Sequence, residues 1–209
     1  SGIIKKSERG TYDFFRGRVI FPIHNISGRV IGFGARTLRS DKKVAKYFNS
    51  PESIIYNKSQ VLYGLFQAKN EIIKNNCCFL VEGYTDVISL HQNSIKNTVA
   101  SSGTSLTDGQ IRLIKRFTSN IVILYDGDEA GINASFRGVD MILAAGLNVK
   151  IIVFPVGEDP DSYSKKLSTE DFKTYLAENQ NDFISFKANH LLEKTKDDPI
   201  NVSKTINEI

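Results

Sequence analysis

The chain has little of what stapled or metal-knit scaffolds need. Its 209 residues include two cysteines, Cys77 and Cys78. Sequence neighbours make a poor disulfide, and two cysteines without a cysteine–histidine cluster make no zinc site. A disulfide framework and a structural zinc are thereby excluded, and a reducing cytoplasm is the expected compartment. No apolar run approaches the roughly 18 residues of a membrane-spanning helix. The opening SGIIKKSERG is not followed by the apolar stretch that a signal peptide requires. His24, His91 and His190 are far apart, each without a metal-ligand partner at motif spacing. Ser101, Ser102 and Ser105 lack the context of a nucleophile elbow. No P-loop pattern is present, which excludes that class of ATPase.

What is present is an ordinary globular composition, sufficient for one large domain or two small ones. Charge is unevenly spread. Residues 1–60 hold twelve Lys/Arg against four Asp/Glu, whereas residues 61–209 hold fifteen against nineteen. A basic piece beside an acidic one suits a polyanion handled next to a metal, although two ordinary solvated surfaces would read the same way.

The pattern predicts three blocks. In residues 1–60, RVIFPI and RVIGFGAR flank a turn at Asn25–Gly28, a hairpin signature, and KYFN adds a short strand. In residues 61–160, four short apolar runs alternate with helical patterns. The strands are CCFLV (77–81), TVAS (98–101), NIVILY (120–125) and VKIIVF (149–154). The helices cover about 64–74, 84–92, 108–117 and 129–145, with Thr107 or Asp108 as an N-cap and Gly146 as a stop. This is an α/β pattern: a Rossmann-like parallel sheet flanked by helices, preceded by a small mixed β subdomain. Residues 161–209 read as a purely helical tail, with caps at Ser168 or Thr169, a helix from Asp182, and Pro199 opening another.

The acids of the middle block fall at strand ends. Glu82 follows CCFLV, Asp126 and Asp128 follow NIVILY, and Glu158, Asp159 and Asp161 follow KIIVFP. Parallel strands present their C-terminal ends along one edge, where open α/β sheets bind ligands. Unpaired carboxylates gathered there raise one another's pKa. A hard divalent cation such as Mg²⁺ resolves that repulsion with oxygen ligands from carboxylates and phosphates. An isolated Glu-Gly or Asp-Gly is usually just a turn; three acidic clusters at strand ends are not. An EF-hand starting at Asp126 fails, because Ala130 and Arg137 occupy its fifth and twelfth positions. A phosphatase using Asp126 and Asp128 is chemically possible but leaves Glu82 and the basic block unexplained. GFGART (32–37) lacks the third glycine of a dinucleotide fingerprint.

EGYTD (82–86) and DGDEAG (126–131) resemble the two signatures of the Toprim fold, shared by bacterial primases, topoisomerases, recombination mediators and some nucleases. FRGRVIFPI (15–23), GRVIGFGAR (28–36), KYFNSPES (46–53), SQVLYGL (59–65), SSGTSLT (101–107) and GEDPDSY (157–163) are similar to the bacterial replicative primase family of DnaG type. The resemblance weakens only in the last forty residues. It implies a piece of a longer protein: the end of the basic polymerase subdomain, the Toprim domain and the start of a helical subdomain. The family's zinc ribbon and its domain that docks the replicative helicase are not in this sequence, so zinc is expected only outside it.

The resemblance also implies chemistry. DNA-templated RNA primer synthesis joins ribonucleoside triphosphates on single-stranded DNA. Glu82, Asp126 and Asp128 would form the principal Mg²⁺ site, with Mn²⁺ as a substitute. Asp86 would extend it, and Asp159 and Asp161 would hold a further ion. Glu82 is alternatively a group for proton transfer. Arg36, Lys46 and Lys58 would hold the triphosphate and the template–primer backbone, and Arg18 would line the template path. The competing readings are a Toprim nuclease or topoisomerase piece, or a binding module without turnover.

Overall fold

The protein is described from a computed structural model covering residues 3–8, 10–39, 44–103, 105–127 and 129–195, with the side chains of 129–135 and 191–195 left aside. Thr104, Asp128 and Pro199 lie outside the described residues.

The basic block forms antiparallel sheets. Strand β1 (Ile4–Ser7) pairs with β2 (Gly10–Asp13) as an exposed ribbon. Its polar residues carry no alternation, so the sequence pattern is silent about it. Strand β3 (Arg18–His24) pairs with β4 (Val30–Thr37), which pairs with β5 (Tyr47–Asn49). The turn falls where the sequence predicts it. Asn25 Oδ1 accepts from the backbone N–H of Ser27 (3.1 Å) and of Arg29 (2.9 Å). Gly28 takes the left-handed φ of 87° that closes the turn. The register sets Arg36 directly opposite Tyr47.

The acidic block is built on a five-stranded sheet. Its strands are β6 (Cys78–Val81), β7 (Thr98–Ala100), β8 (Asn120–Tyr125), β9 (Asn148–Val153) and β10 (Asn181–Asp182), in the order β10-β9-β8-β6-β7. The first four are mutually parallel and β10 pairs antiparallel at the edge. Helix α1 (Leu65–Asn75) leads into β6, and α2 (Tyr84–Gln92), α3 (Asp108–Lys115) and α4 (Glu129–Ala144) connect the parallel strands. Helix α5 (Pro160–Ser164), α6 (Thr169–Glu178) and α7 (Phe183–Thr195) follow β9.

The continuous apolar runs reflect burial on both faces. Along β8, Ile121 and Ile123 join Leu65, Ile72, Ile111 and Ile142 in one core. Val122 and Leu124 join Val87, Leu90, Phe172 and Leu176 in the other. Each such side chain, fully buried, stabilises by about 1.5–3 kcal/mol. Thr107 caps α3 through a reciprocal pair with Gln110, and Ser168 caps α6. Among the described residues no helix is long and apolar enough to cross a membrane.

The tail departs from the helical expectation at one point. Asn181 and Asp182 pair with Ile151 and Lys150 before α7 begins at Phe183. Asp182 still does a cap's work, since its Oδ1 accepts from Ser185 N–H at 3.0 Å. Two residues are too few for a strand pattern to be read in sequence; the open edge of β9 recruits them.

A third apolar cluster joins the blocks: Phe21, Ile23, Tyr56 and Tyr84. The Tyr84 ring stacks on Phe21 (4.9 Å, 3°) and meets Tyr63 edge-on at 4.7 Å. It lies so close to β4 that a Cβ on Gly34 would sit 2.3 Å from the ring. Gly34→Ala should therefore lower stability in urea unfolding by about 1–3 kcal/mol, the usual cost of overpacking. A neutral result would mean the two sheets can slide apart without loss.

Candidate functional site

The acids sit where strands hand over to helices. After β6, Gly83 is extended and α2 starts at Tyr84. Asp86 reaches back and its Oδ2 accepts from Gly83 N–H at 2.9 Å. After β8, Asp126 and Gly127 enter a loop pinned by Gly127 N–H donating to Glu158 O at 3.0 Å. A Cβ at Gly127 would lie 2.2 Å from Pro155 O, so only glycine allows this approach. After β9, Asp159 caps α5, accepting from Ser162 N–H at 2.6 Å, with Pro160 at the first turn. Asp161 accepts from Ser89 Oγ and pairs with Lys165 Nζ at 2.7 Å. Glu158 pairs with Lys166.

These segments enclose one cleft of about 310 Å³. Glu82, Asp86, Asp126, Asp159 and Asp161 line it together with Arg36, Lys46 and Tyr47 from the basic sheet. The Arg36 guanidinium lies 5.6 Å and the Lys46 ammonium 5.9 Å from the Tyr47 ring centre. An acidic wall from one sheet thus faces a cationic, aromatic wall from the other.

Two expected contributors lie elsewhere. Lys58 sits on a 3₁₀ turn (Lys58–Gln60) and is not among the residues lining the cleft. Gln110 Nε2 holds this turn by donating to Lys58 O (3.2 Å) and Val61 O (2.9 Å). Arg18 donates to Ala45 O (2.8 Å) and Lys46 O (3.2 Å), and its guanidinium lies 4.0 Å from the Phe48 ring centre. It holds the segment leading into β5 and is not among the residues lining the cleft. Asn49, Tyr84 and Ser102 line the cleft without having been singled out by the sequence reading. One signal for Asn49 existed: strand alternation puts it on the face of Tyr47.

Comparison with known proteins agrees with this geometry. The family described as DNA primase catalytic core, N-terminal domain, matches residues 1–69. The Toprim-like family matches residues 79–164. The DNA primase of Clostridium acetobutylicum is 45% identical over all of this chain and 35% of its own length. A solved DnaG primase catalytic domain bound to ssDNA superposes with a TM-score of 0.85 at 38% identity, covering 98% of this chain and 66% of that one. The RNA polymerase domain of Mycobacterium tuberculosis DnaG, in complex with double-stranded DNA, gives 0.83 at 30% identity, covering 99% and 67%. The chain belongs to the DnaG primase family. It spans about a third of the length of curated relatives such as the Clostridium primase.

Toprim domains and primases depend on divalent metal as a class. In this DnaG-family chain the donor set fits a hard cation, because five carboxylates and no soft ligand line the cleft. They do not form a finished cage: among the described residues no three His, Cys, Asp or Glu side chains converge to hold an ion. The reason is visible in their partners. Asp86 and Asp159 cap helices, and Asp161 is held by Ser89 and Lys165.

Their electrostatics differ accordingly. Burial pushes the Asp86 carboxyl up to about 6; the Gly83 N–H opposes this, while Asp159, Asp161 and Glu82 add to it. Burial also works to raise Asp161, but Lys165, Ser89 and the charge of Arg36 hold it below the usual carboxylate range. Arg36 is therefore felt across the cleft.

A pH dependence follows from Asp86. Its native value lies above the ordinary 3.8. Between about pH 4 and 6 the native state then holds more protons than the unfolded state, so this group's contribution to stability falls as pH rises. In metal-free buffer Asp86→Asn should gain on wild type across that window, by at most about 3 kcal/mol at pH 7. Chemical denaturation at several pH values measures it. A difference independent of pH would mean Asp86 titrates normally.

Proposed function

We propose that this chain is the core of a bacterial replicative primase and takes part in DNA-templated synthesis of RNA primers from nucleoside triphosphates. The observation that carries this reading is the single cleft in which strand-end carboxylates face Arg36, Lys46 and Tyr47. Both halves are needed for nucleotidyl transfer: oxygen ligands for cations, and cations for phosphates. The relatives named above are primases, which supports the same reading.

In this proposal Glu82, Asp126 and Asp128 hold the principal Mg²⁺ site, which Mn²⁺ also fills. Asp86 extends it, and Asp159 and Asp161 serve a further ion. Bound divalent ions would supply Lewis-acid activation of the attacking 3′-hydroxyl and neutralise charge on the leaving pyrophosphate. The chain's own groups orient the substrates. Arg36 offers a planar fork to phosphate oxygens, and Lys46 a point charge on the same face. Tyr47, about a third exposed at 37%, offers a ring to a base. Lys58 meets the nucleic-acid backbone beyond the cleft, and Arg18 acts through the segment it holds. The template is single-stranded DNA, and the growing RNA lies with it across the basic sheet. The protein works in the cytoplasm, at the replication fork.

A nuclease or topoisomerase and a silent binding module are the rival readings. One assay with labelled nucleoside triphosphates, template and Mg²⁺ separates synthesis, cleavage and mere binding. In the native full-length protein Asp126→Asn should lower primer synthesis by at least about a hundredfold while leaving the fold intact. Cleavage in place of synthesis, or substantial residual synthesis, would defeat the proposal.

Binding gives a second measurement. Arg36, Lys46 and Lys58 neutralise only a few phosphates, each contributing roughly −0.7 to the slope of log affinity against log salt on single strands. The 209-residue chain should bind single-stranded DNA with a slope of about −2 to −3 and lose most binding near physiological salt. Lys46→Ala should flatten that slope by about one contact, while Asp126→Asn should not weaken binding. Salt-independent binding would show that phosphate contacts are not the basis of affinity.

A further inference from the structure

Where the two walls of the cleft meet, one side chain of the basic wall makes two hydrogen bonds to the acidic one. Asn49, at the end of β5, accepts from the Tyr84 hydroxyl through Oδ1 at 2.7 Å. Its Nδ2 donates to the carbonyl of Ser102 at 3.0 Å. A carbonyl can only accept, so the amide's orientation is fixed by the network itself. Ser102 in turn donates its N–H to Glu82 O at 3.0 Å. The chain of bonds therefore runs from β5, which carries Tyr47 and follows Lys46, through Asn49, to the backbone of Glu82.

The loop at the far end of this relay is a demanding one. Ser102 takes a left-handed φ of 58°, rare for a residue with a side chain, and Gly103 follows at 83°. Such a conformation persists only where neighbours over-determine it, and it concentrates at functional sites. Asn49 supplies one of the determining bonds. Among the described residues the other side-chain bonds between the blocks come from Gln67, Lys69, Thr107 and Gln110, and none of these residues lines the cleft.

We infer that Asn49 is a positioning residue for nucleotidyl transfer: its amide, locked between Tyr84 and Ser102, holds the cation wall in register with Glu82. The inference rests on the reading of the cleft as the site of primer synthesis. Phosphates gripped by Arg36 and Lys46 are useful only at a fixed distance from the acids, and misplacement by about 1 Å can cost a hundredfold in rate. Asn49 acts through other groups, so its loss should appear in turnover more than in substrate binding.

The test compares Asn49→Ala, Asn49→Asp and Tyr84→Phe with wild type in the native full-length protein. Turnover and KM for nucleoside triphosphates are measured on one template, with melting temperature in parallel and Asp126→Asn as control. Asn49→Ala should lower kcat by about tenfold with KM changed less than about threefold. Asn49→Asp should be worse, because it keeps the size, loses the donor to Ser102 and adds a charge to an acidic cleft. Tyr84→Phe keeps the ring stack and removes the hydroxyl; kcat should fall by about threefold with little change in melting temperature. If Asn49→Ala fails to fold, Tyr84→Phe decides alone. Turnover within about twofold of wild type in the folded variants, or a lowered melting temperature without lowered kcat, would overturn the inference. A control that remains active would instead defeat the functional reading of the cleft.

Discussion

The packing of the Tyr84 ring between the two sheets is the contact on which the rest depends. Its ring stacks on Phe21, meets Tyr63 edge-on and closes against Gly34, where no side chain fits. Tyr84 is also the first residue of α2, two residues after Glu82. One residue therefore anchors the turn that presents an acid and fixes the distance to the basic sheet. Aromatic pairs of this geometry contribute about 0.5–1.5 kcal/mol beyond burial. The positional consequence matters more than the energy. Without this joint the acidic edge would be a rim open to solvent, and Arg36 and Lys46 would face nothing.

The edge itself shows how a fold keeps like charges together. Four of the acids, Asp86, Glu158, Asp159 and Asp161, have a local partner for their negative charge. Asp86 and Asp159 sit in the first turns of α2 and α5, where backbone N–H groups favour anions. Asp161 and Glu158 take lysines from the turn that follows α5. The arrangement is a compromise between repulsion and local capping, and Asp86 bears most of its strain, since burial and three acidic neighbours act on it together.

Much of this was legible in the chain of letters. NIVILY could only be a strand buried on both faces, and Ile121 and Val122 do point into different cores. Asn25–Gly28 had the chemistry of a turn, Thr107 and Ser168 that of caps, and all three behave so. Acids at successive strand ends implied one edge, because parallel strands end on the same side. By contrast, β1 and β2 are four residues each and exposed throughout, and β10 has two residues, so none of them carries a periodic signal. Arg18 was expected along the template path; its partners in the fold, the carbonyls of Ala45 and Lys46, are 27 and 28 residues away.

Patterns with a period of a few residues are local, and local chemistry settled the parallel strands, the β3–β4 hairpin, the caps, the turn at Asn25 and the gathering of acids. Partnership is not local. That Asn49 bridges Tyr84 and Ser102, that Lys58 is held by Gln110 outside the cleft, and that Arg36 acts on Asp161 all depend on how two sheets dock. Docking is decided by shape at a few buried contacts, above all an aromatic ring against a glycine. No spacing along the chain encodes that fit, because it exists only when both surfaces are present.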